Sequence, residues 1–407
     1  MGIRKNWLAG VADVELMFSK YDNENNYLVH NCFYKIPSFL KSIEFDAIII
    51  MSTFMDKFIG NFTKEEQVWI DQYEFLKKTR AKKIVFAQDD YWFSDLRDSF
   101  YINYNIDLVH LVCPPECWSE LVPRFIAKGG NIKQGFTTYF TPYIKSLIKF
   151  KKDWKARKFD VVYRSTRHPK VPNKIGELKG IIGDLFLDKI PRHRIDNMNL
   201  DLGNDGKAIT GESWYEYVAD SRAILGSNSG SSILLRNNDV RKQLLNYKKL
   251  NPDKSASEIE TAVLPVGDRA KNYTAISPRN LEAAVLGTVQ VLVNGSYSDM
   301  LMPNRDYIPL NADGSNAGDI LDTLDNLEIC NRITSNCESS LLNNQKLDGM
   351  NIISETINFI KDNKMKSSNL NYNYINLRYK VIFSIEFLFQ YTKLFIYKIY
   401  RILRFTP

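Results

Sequence analysis

Cysteine is scarce. Five thiols (Cys32, Cys113, Cys117, Cys330 and Cys337) in 407 residues form an odd, sparse set, and their spacings fit neither a disulfide framework nor a zinc site. A reduced, cytosolic protein is the simpler account, with Cys113-Pro-Pro-Glu-Cys117 read as a strand exit. No uninterrupted apolar core follows Arg4 and Lys5, so no signal peptide is expected. Met1-Gly2 lacks the Ser or Thr at position 6 that N-myristoylation requires. There is no Gly-x-x-x-x-Gly-Lys-Ser/Thr and no Gly-x-Gly-x-x-Gly, which removes the P-loop and dinucleotide readings. Zinc-finger spacings and aromatic–basic sheet motifs are also missing. A net charge of +7 is therefore poor evidence for nucleic acid, the more so because much of it sits in the last forty residues.

What is present is the composition of a globular protein, 44% apolar and 25% charged, long enough for two domains of ordinary size. Short apolar runs alternate with helical text. Asp46–Met51, Lys83–Ala87, Asp107–Val112, Asp160–Tyr163 and Ala223–Gly226 read as buried strands. Thr63-Lys-Glu-Glu66 is a capping box opening a helix to about Lys78, and further helices are expected over Gly211–Asp220, Asn238–Leu250 and Ser255–Leu264. Such alternation predicts parallel sheets covered on both faces. Residues 1–20 read as a helix where a strand is customary, so the first strand of the N-terminal sheet is missing or degenerate. A Lys/Arg-dense stretch between Tyr143 and Lys158 marks a boundary. The expected divisions are 1–150, 159–335 and 338–407.

The most informative stretch is Ala275–Val293. Ser277 suits an N-cap, Pro278 the first helical position and Gly287 the left-handed residue after a helix, and Thr288–Val293 then reads as a core strand. The helix start collects unpaired N–H groups and the positive end of the dipole. A diphosphate fits there, with Arg279 adding charge and Glu282 accepting from a ribose or sugar hydroxyl. A plain Arg279–Glu282 ion pair is the competing reading. Ligands in parallel sheets lie beyond the carboxyl ends of strands, where Gln88, Asp89, Asp90 and Tyr91 follow one run and Arg164, Arg167 and Lys170 another, with Lys179 on the next helix. Asp89 or Asp90 could orient an acceptor hydroxyl or act as a base. The Ser227–Ser232 loop, with Ser229, Gly230 and Ser231 at its centre, would let backbone amides approach an anion or a sugar. His110, inside an apolar run, reads as a core residue, and His30 as a looser site candidate.

The Ser-Pro-Arg-Asn-Leu-Glu-Ala-Ala…Gly-Thr stretch resembles the C-terminal motif of GT-B glycosyltransferases, particularly the group-1-type enzymes of bacterial surface-polysaccharide clusters. The Gln88–Tyr91 run, the Gly211–Trp214 helix, the Leu-Gly strand with its Ser/Gly loop, and Tyr307-Ile-Pro-Leu310 follow in the same order, so the resemblance spans about Asp46 to Leu324 with gaps. It departs at Thr274, where many such enzymes carry a second carboxylate. The resemblance implies an α/β GT-B fold, two Rossmann-like domains facing a cleft, and transfer from a nucleotide-diphosphate sugar. It places Arg164, and less strongly Lys179, on the donor diphosphate beside the Ser227–Ser232 loop and the Ser277–Glu282 helix start. It implies no cofactor and no metal, with Arg279 and Arg164 neutralising the leaving group, and it favours retention. The absence of an Asp-x-Asp in supporting context points away from the single-domain, metal-dependent design. The implied acceptor is a cell-surface glycan such as lipopolysaccharide, on a lipid carrier.

From Tyr372 onward basic residues outnumber acidic ones six to one. On a helical wheel Lys393, Arg401 and Arg404 share a stripe apart from Ile385, Phe389, Ile396 and Leu403. That predicts an amphipathic helix at the anionic inner face of the plasma membrane, or one packed on the N-terminal domain. An inactive nucleotide- or sugar-binding protein and a membrane-peripheral assembly protein remain as alternatives to an enzyme.

Overall fold

The computed structural model describes residues 9–59, 70–165, 169–203, 209–362, 373 and 375–380. The capping box at Thr63, Arg167 and nearly all of the expected tail helix lie outside them. Two parallel sheets carry the architecture. The first has the order β1 (Ala47–Ile50), β2 (Lys82–Phe86), β3 (Leu108–Leu111), β4 (Asn131–Gln134). Among the described residues no strand precedes β1, which forms one edge of this sheet. The second runs β11 (Ile308–Leu310), β10 (Val289–Val293), β7 (Ser221–Gly226), β5 (Phe159–Val162), β6 (Leu200–Asp201). Every pairing in both is parallel. Helices cover the faces because β-runs such as Val-Gln-Val-Leu-Val bury both sides. This is the α/β, two-sheet arrangement of the GT-B fold.

The helix Pro278–Leu286 forms as its sequence dictates. Proline occupies the first turn, and Gly287 closes the helix at φ 63° in the left-handed region. Leu281 and Leu286 are fully buried on it, each worth about 2–3 kcal/mol. Its start is tied to the following strand by an exchange between two amides. Asn280 Nδ2 donates to Gln290 Oε1 at 2.7 Å, and Gln290 Nε2 returns a bond to the Asn280 carbonyl at 3.0 Å. A glutamine in the middle of a core strand is thereby satisfied.

Two expectations change. Ser227–Ser232 is not an open loop, since β8 (Ser229–Ser231) pairs antiparallel with β9 (Tyr273–Ala275) in a two-stranded ribbon. The helix expected to run to Lys78 gives way to a 3-10 turn over Glu74–Lys77.

The carboxyl ends of the two sheets face one another. Trp92, beyond β2, bridges to Leu235, beyond β8. Thr137, beyond β4, donates its hydroxyl to the Ile276 carbonyl at 2.9 Å, one residue before the Ser277 turn. The start of the 278–286 helix therefore borders the groove between the sheets.

Candidate active site

Arg279 projects from the first turn of that helix into a sandwich of rings. Its guanidinium lies 5.5 Å from the centroids of both Tyr163 and Trp214, and Nη2 donates to the Arg164 carbonyl at 2.6 Å. Among the described residues no carboxylate pairs with it. Lys179 stands beside it on the helix Lys174–Lys189. Its backbone carbonyl accepts from Tyr163 Oη at 2.6 Å and Ser165 Oγ at 2.7 Å, which fixes its place. Among the described residues its ammonium has no hydrogen bond and no ion pair. Burial lowers the Lys179 pKa, the neighbouring Arg279 lowers it further, and Asp89 opposes both from the first sheet's side of the groove. Arg279 in the first turn of the 278–286 helix and Lys179 on the neighbouring helix thus influence one another while neither has an ion pair among the described residues, an arrangement that could receive an anion.

Glu282 lies one turn further in and is 7% exposed. Burial raises its pKa, while the Trp214 hydrogen bond and Arg279 pull it down. Oε2 accepts from Trp214 Nε1 at 2.8 Å. Oε1 faces Gly10 on the helix Ala9–Tyr21 and accepts nothing among the described residues. Ser277 donates its hydroxyl to Asn280 Oδ1 at 2.8 Å, so the turn is closed by the asparagine and the serine together.

Three of the expected donor-side groups are placed differently. The Arg164 side chain turns away from Arg279, pairing with Asp201 Oδ2 at 2.5 Å and donating to the Gly203 carbonyl at 2.5 Å. Its contribution at the groove is its backbone carbonyl, because the carboxylate of β6 holds its charge. Gly230, at φ 114°, is required by strand pairing, since a Cβ there would collide with the Tyr273 carbonyl. Ser231 Oγ accepts from the Ile233 amide at 3.1 Å, and β8 as a whole is engaged with β9. The ribbon supports the helix start rather than presenting a free loop.

On the opposite wall, Asp89 is exposed at the carboxyl end of β2, with φ 50° and the Tyr91 hydroxyl donating to it at 3.1 Å. Asp90 is withdrawn. Its carboxylate accepts the backbone N–H groups of Val112 and of Cys113 (2.9 Å), bracing β2 to the end of β3, and burial pushes its pKa up to about 6. Its position excludes direct contact with an acceptor. Asp56, on the helix Ser52–Ile59 after β1, carries a signal missed in the sequence. Its side chain is 51% exposed and 3.7 Å from Arg97 Nη2. Desolvation by its surroundings pushes its pKa up to about 7, against the pull of Arg97 and with Asp89 and Glu15 raising it further, an effect that its half-exposed side chain would moderate. An acidic residue soon after an apolar strand was the available clue. His110 stacks on Phe86 in the core, ring centroids 4.2 Å apart, and burial lowers its pKa to about 3. His30 sits away from the groove, 3.1 Å from the Tyr379 hydroxyl. Among the described residues no cluster of His, Cys, Asp and Glu could hold a metal ion, and no helix is long and apolar enough to cross a membrane.

No family model matches the sequence, and no curated protein does. Solved structures with a similar course of chain include an alpha-glucosyltransferase in complex with UDP-glucose and DNA containing an abasic site (12% identity, TM-score 0.45, covering 78% of this chain and 80% of that one). Others are Anabaena HepE with UDP-glucose (14%, 0.36, 72% and 77%) and sucrose-phosphate synthase from Thermosynechococcus elongatus (10%, 0.40, 73% and 71%). The fold itself rests on the strand orders and registers given above.

Proposed function

We propose that this chain is a glycosyltransferase that moves a sugar from a nucleotide-diphosphate sugar to a glycan acceptor. The observation that carries this reading is Arg279 at the start of a nine-residue helix beside the groove with Lys179 of the neighbouring helix near it, neither in an ion pair among the described residues. Departure of a nucleoside diphosphate builds negative charge on the bridging oxygen. Fixed cations and a helix dipole aimed there stabilise the transition state more than the ground state. In this reading no metal is needed. The open oxygen of Glu282 accepts a ribose or sugar hydroxyl, held in aim by Trp214, and Asp89 faces the acceptor side and orients its hydroxyl. Retention of configuration is part of the proposal.

We further propose that the acceptor is a bacterial surface polysaccharide such as lipopolysaccharide, assembled on a lipid carrier at the inner face of the plasma membrane. The basic tail after Tyr372 would be the peripheral contact. A chain shortened to residue 373 should leave anionic vesicles yet retain turnover; vesicle binding unchanged by the deletion rejects that role.

The test of the main reading is a thermal-shift screen against nucleotide sugars, followed by nucleotide release from the one that binds. Stabilisation with turnover supports the enzyme. Stabilisation without turnover supports a binding protein, the alternative favoured by Thr274, which sits inside the β8–β9 ribbon with no carboxylate to offer.

A further inference from the structure

Arg97, on the helix Ser94–Asn103, is 1% exposed, yet its guanidinium is only partly used. Nε donates to the Trp92 carbonyl at 2.9 Å, while neither Nη atom has a hydrogen-bond partner among the described residues. Nη2 lies 3.7 Å from Asp56 Oδ1, close enough for charge attraction but too far for a hydrogen bond. A cation buried in this way acts mainly on the carboxylates around it, which are Asp56, Asp90 and Asp89.

Of these acids, Asp56 is the one left free. Asp90 is committed to the Val112 and Cys113 amides, and Asp89 takes the Tyr91 hydroxyl. Glu15, from the helix Ala9–Tyr21, accepts the Ser52 hydroxyl and the Thr53 amide, which fixes the start of the helix carrying Asp56. The Asp56 carboxylate itself accepts no hydrogen bond among the described residues. Its helix reaches the groove, since Phe58 packs with Phe93 of the first sheet's side and with Val171 and Leu235 of the second's. Charges link it to the donor side as well. Asp56 feels Arg97 from one side, Asp89 and Glu15 from its own sheet, and Lys170 from across the groove. Asp89 in turn acts on Lys179, the neighbour of Arg279.

We propose that Asp56 is the group that receives the proton of the acceptor hydroxyl, and that Arg97 is the residue that positions it. The inference rests on the glycosyltransferase reading and adds to it the acceptor-side chemistry. In the step, the acceptor oxygen bonds to the anomeric carbon. The bond from that carbon to the diphosphate breaks, its electron pair leaving with the diphosphate, and the hydroxyl proton passes to Asp56. Three features suit this carboxylate to the task. Its lone pairs are unspent, its half-exposed side chain can return the proton to water, and a cation behind it favours the ionised form against Asp89 and Glu15. A bidentate pair with Arg97 would have spent the same oxygens. Asp89 keeps the part of orienting the hydroxyl.

The test measures nucleotide release by the full chain from the nucleotide sugar that binds it, with water or sodium azide as acceptor. Azide has no proton to lose and needs no base. Asp56→Asn should lower kcat for release to water about a hundredfold or more, with the donor KM changed less than about threefold. Azide should restore release in this variant, with glycosyl azide detected by mass spectrometry. Arg97→Gln leaves Asp56 in place but removes the cation behind it. It should move the acid limb of the kcat/KM profile to higher pH, by about one pH unit. If either variant fails to fold, the other decides. Undiminished release by Asp56→Asn, a loss that azide does not restore, or an acid limb unmoved in Arg97→Gln would each overturn the inference and, with wild-type release intact, spare the glycosyltransferase reading. No release by the wild type from any nucleotide sugar overturns both.

Discussion

Trp214 Nε1 donates to Glu282 Oε2 at 2.8 Å while the face of the same indole lies 5.5 Å from the Arg279 guanidinium. One side chain thus aims the carboxylate and steadies the cation that the proposed donor would meet. Trp214→Phe keeps a ring but removes the donor, leaving a buried carboxylate short of a partner. We expect nucleotide-sugar affinity to fall about tenfold (~1.4 kcal/mol) by titration calorimetry, with a lowered melting temperature from the unpartnered buried carboxylate. Unchanged affinity would remove Glu282 from the donor site.

The Lys179 pKa is pushed below that of an ordinary lysine by burial and by Arg279. A bound diphosphate reverses that balance and favours the charged form. Below the lowered pKa the ammonium is already charged and binding needs no proton. As pH rises through it, the free protein loses the charge, binding must take up a proton, and affinity declines. Nucleoside diphosphate affinity should fall on the alkaline side in the wild type, and Lys179→Gln should bind more weakly with a flatter alkaline profile. Proton uptake measured in buffers of different ionisation enthalpy checks the sign independently.

Gly230 combines φ 114° with a cross-strand approach that a Cβ would block. Gly230→Ala should cost at least about 2 kcal/mol in denaturant unfolding. It should also weaken donor binding, since β9 leads directly into the Ser277 turn. The equivalent change at Gly211, also at positive φ but with open space around it, should cost less.

Much of the scaffold was legible because its strands are continuous apolar runs, as in Asp46–Met51, Lys83–Ala87 and Thr288–Val293. Asn131–Gln134 and Leu200–Asp201 were not, because they are short edge strands with polar residues and edges need less hydrophobic text. The β8–β9 ribbon escaped notice since Ser-Asn-Ser-Gly-Ser-Ser has no apolar alternation and its partner lies far along the chain. Within the candidate site, local signals at Ser277, Pro278 and Gly287 marked the helix. The Trp214–Glu282 bond joins residues 68 apart, and the Arg164–Asp201 pair joins residues 37 apart. Only the folded chain shows which carboxylate claims which cation.

Asp90 is raised from an ordinary 3.8 to about 6 by burial, so the folded chain holds its proton more tightly than the unfolded one. That contribution to stability is complete below about pH 4 and is lost as pH rises through 6. Asp90→Asn should flatten the decline of the urea midpoint between pH 4 and 6. A midpoint that rises across this interval in the wild type would contradict the assignment.

The proposal stands or falls on Arg279 and Lys179 acting together on a leaving diphosphate. The decisive measurement is kcat/KM for nucleotide release from the nucleotide sugar that binds, in the wild type, Arg279→Ala and Lys179→Ala, each verified as folded. The account predicts turnover by the wild type and a loss of about a hundredfold or more in each variant, on the order of 3 kcal/mol of transition-state stabilisation. Turnover undiminished in both variants, or no nucleotide sugar bound by the wild type, would contradict it.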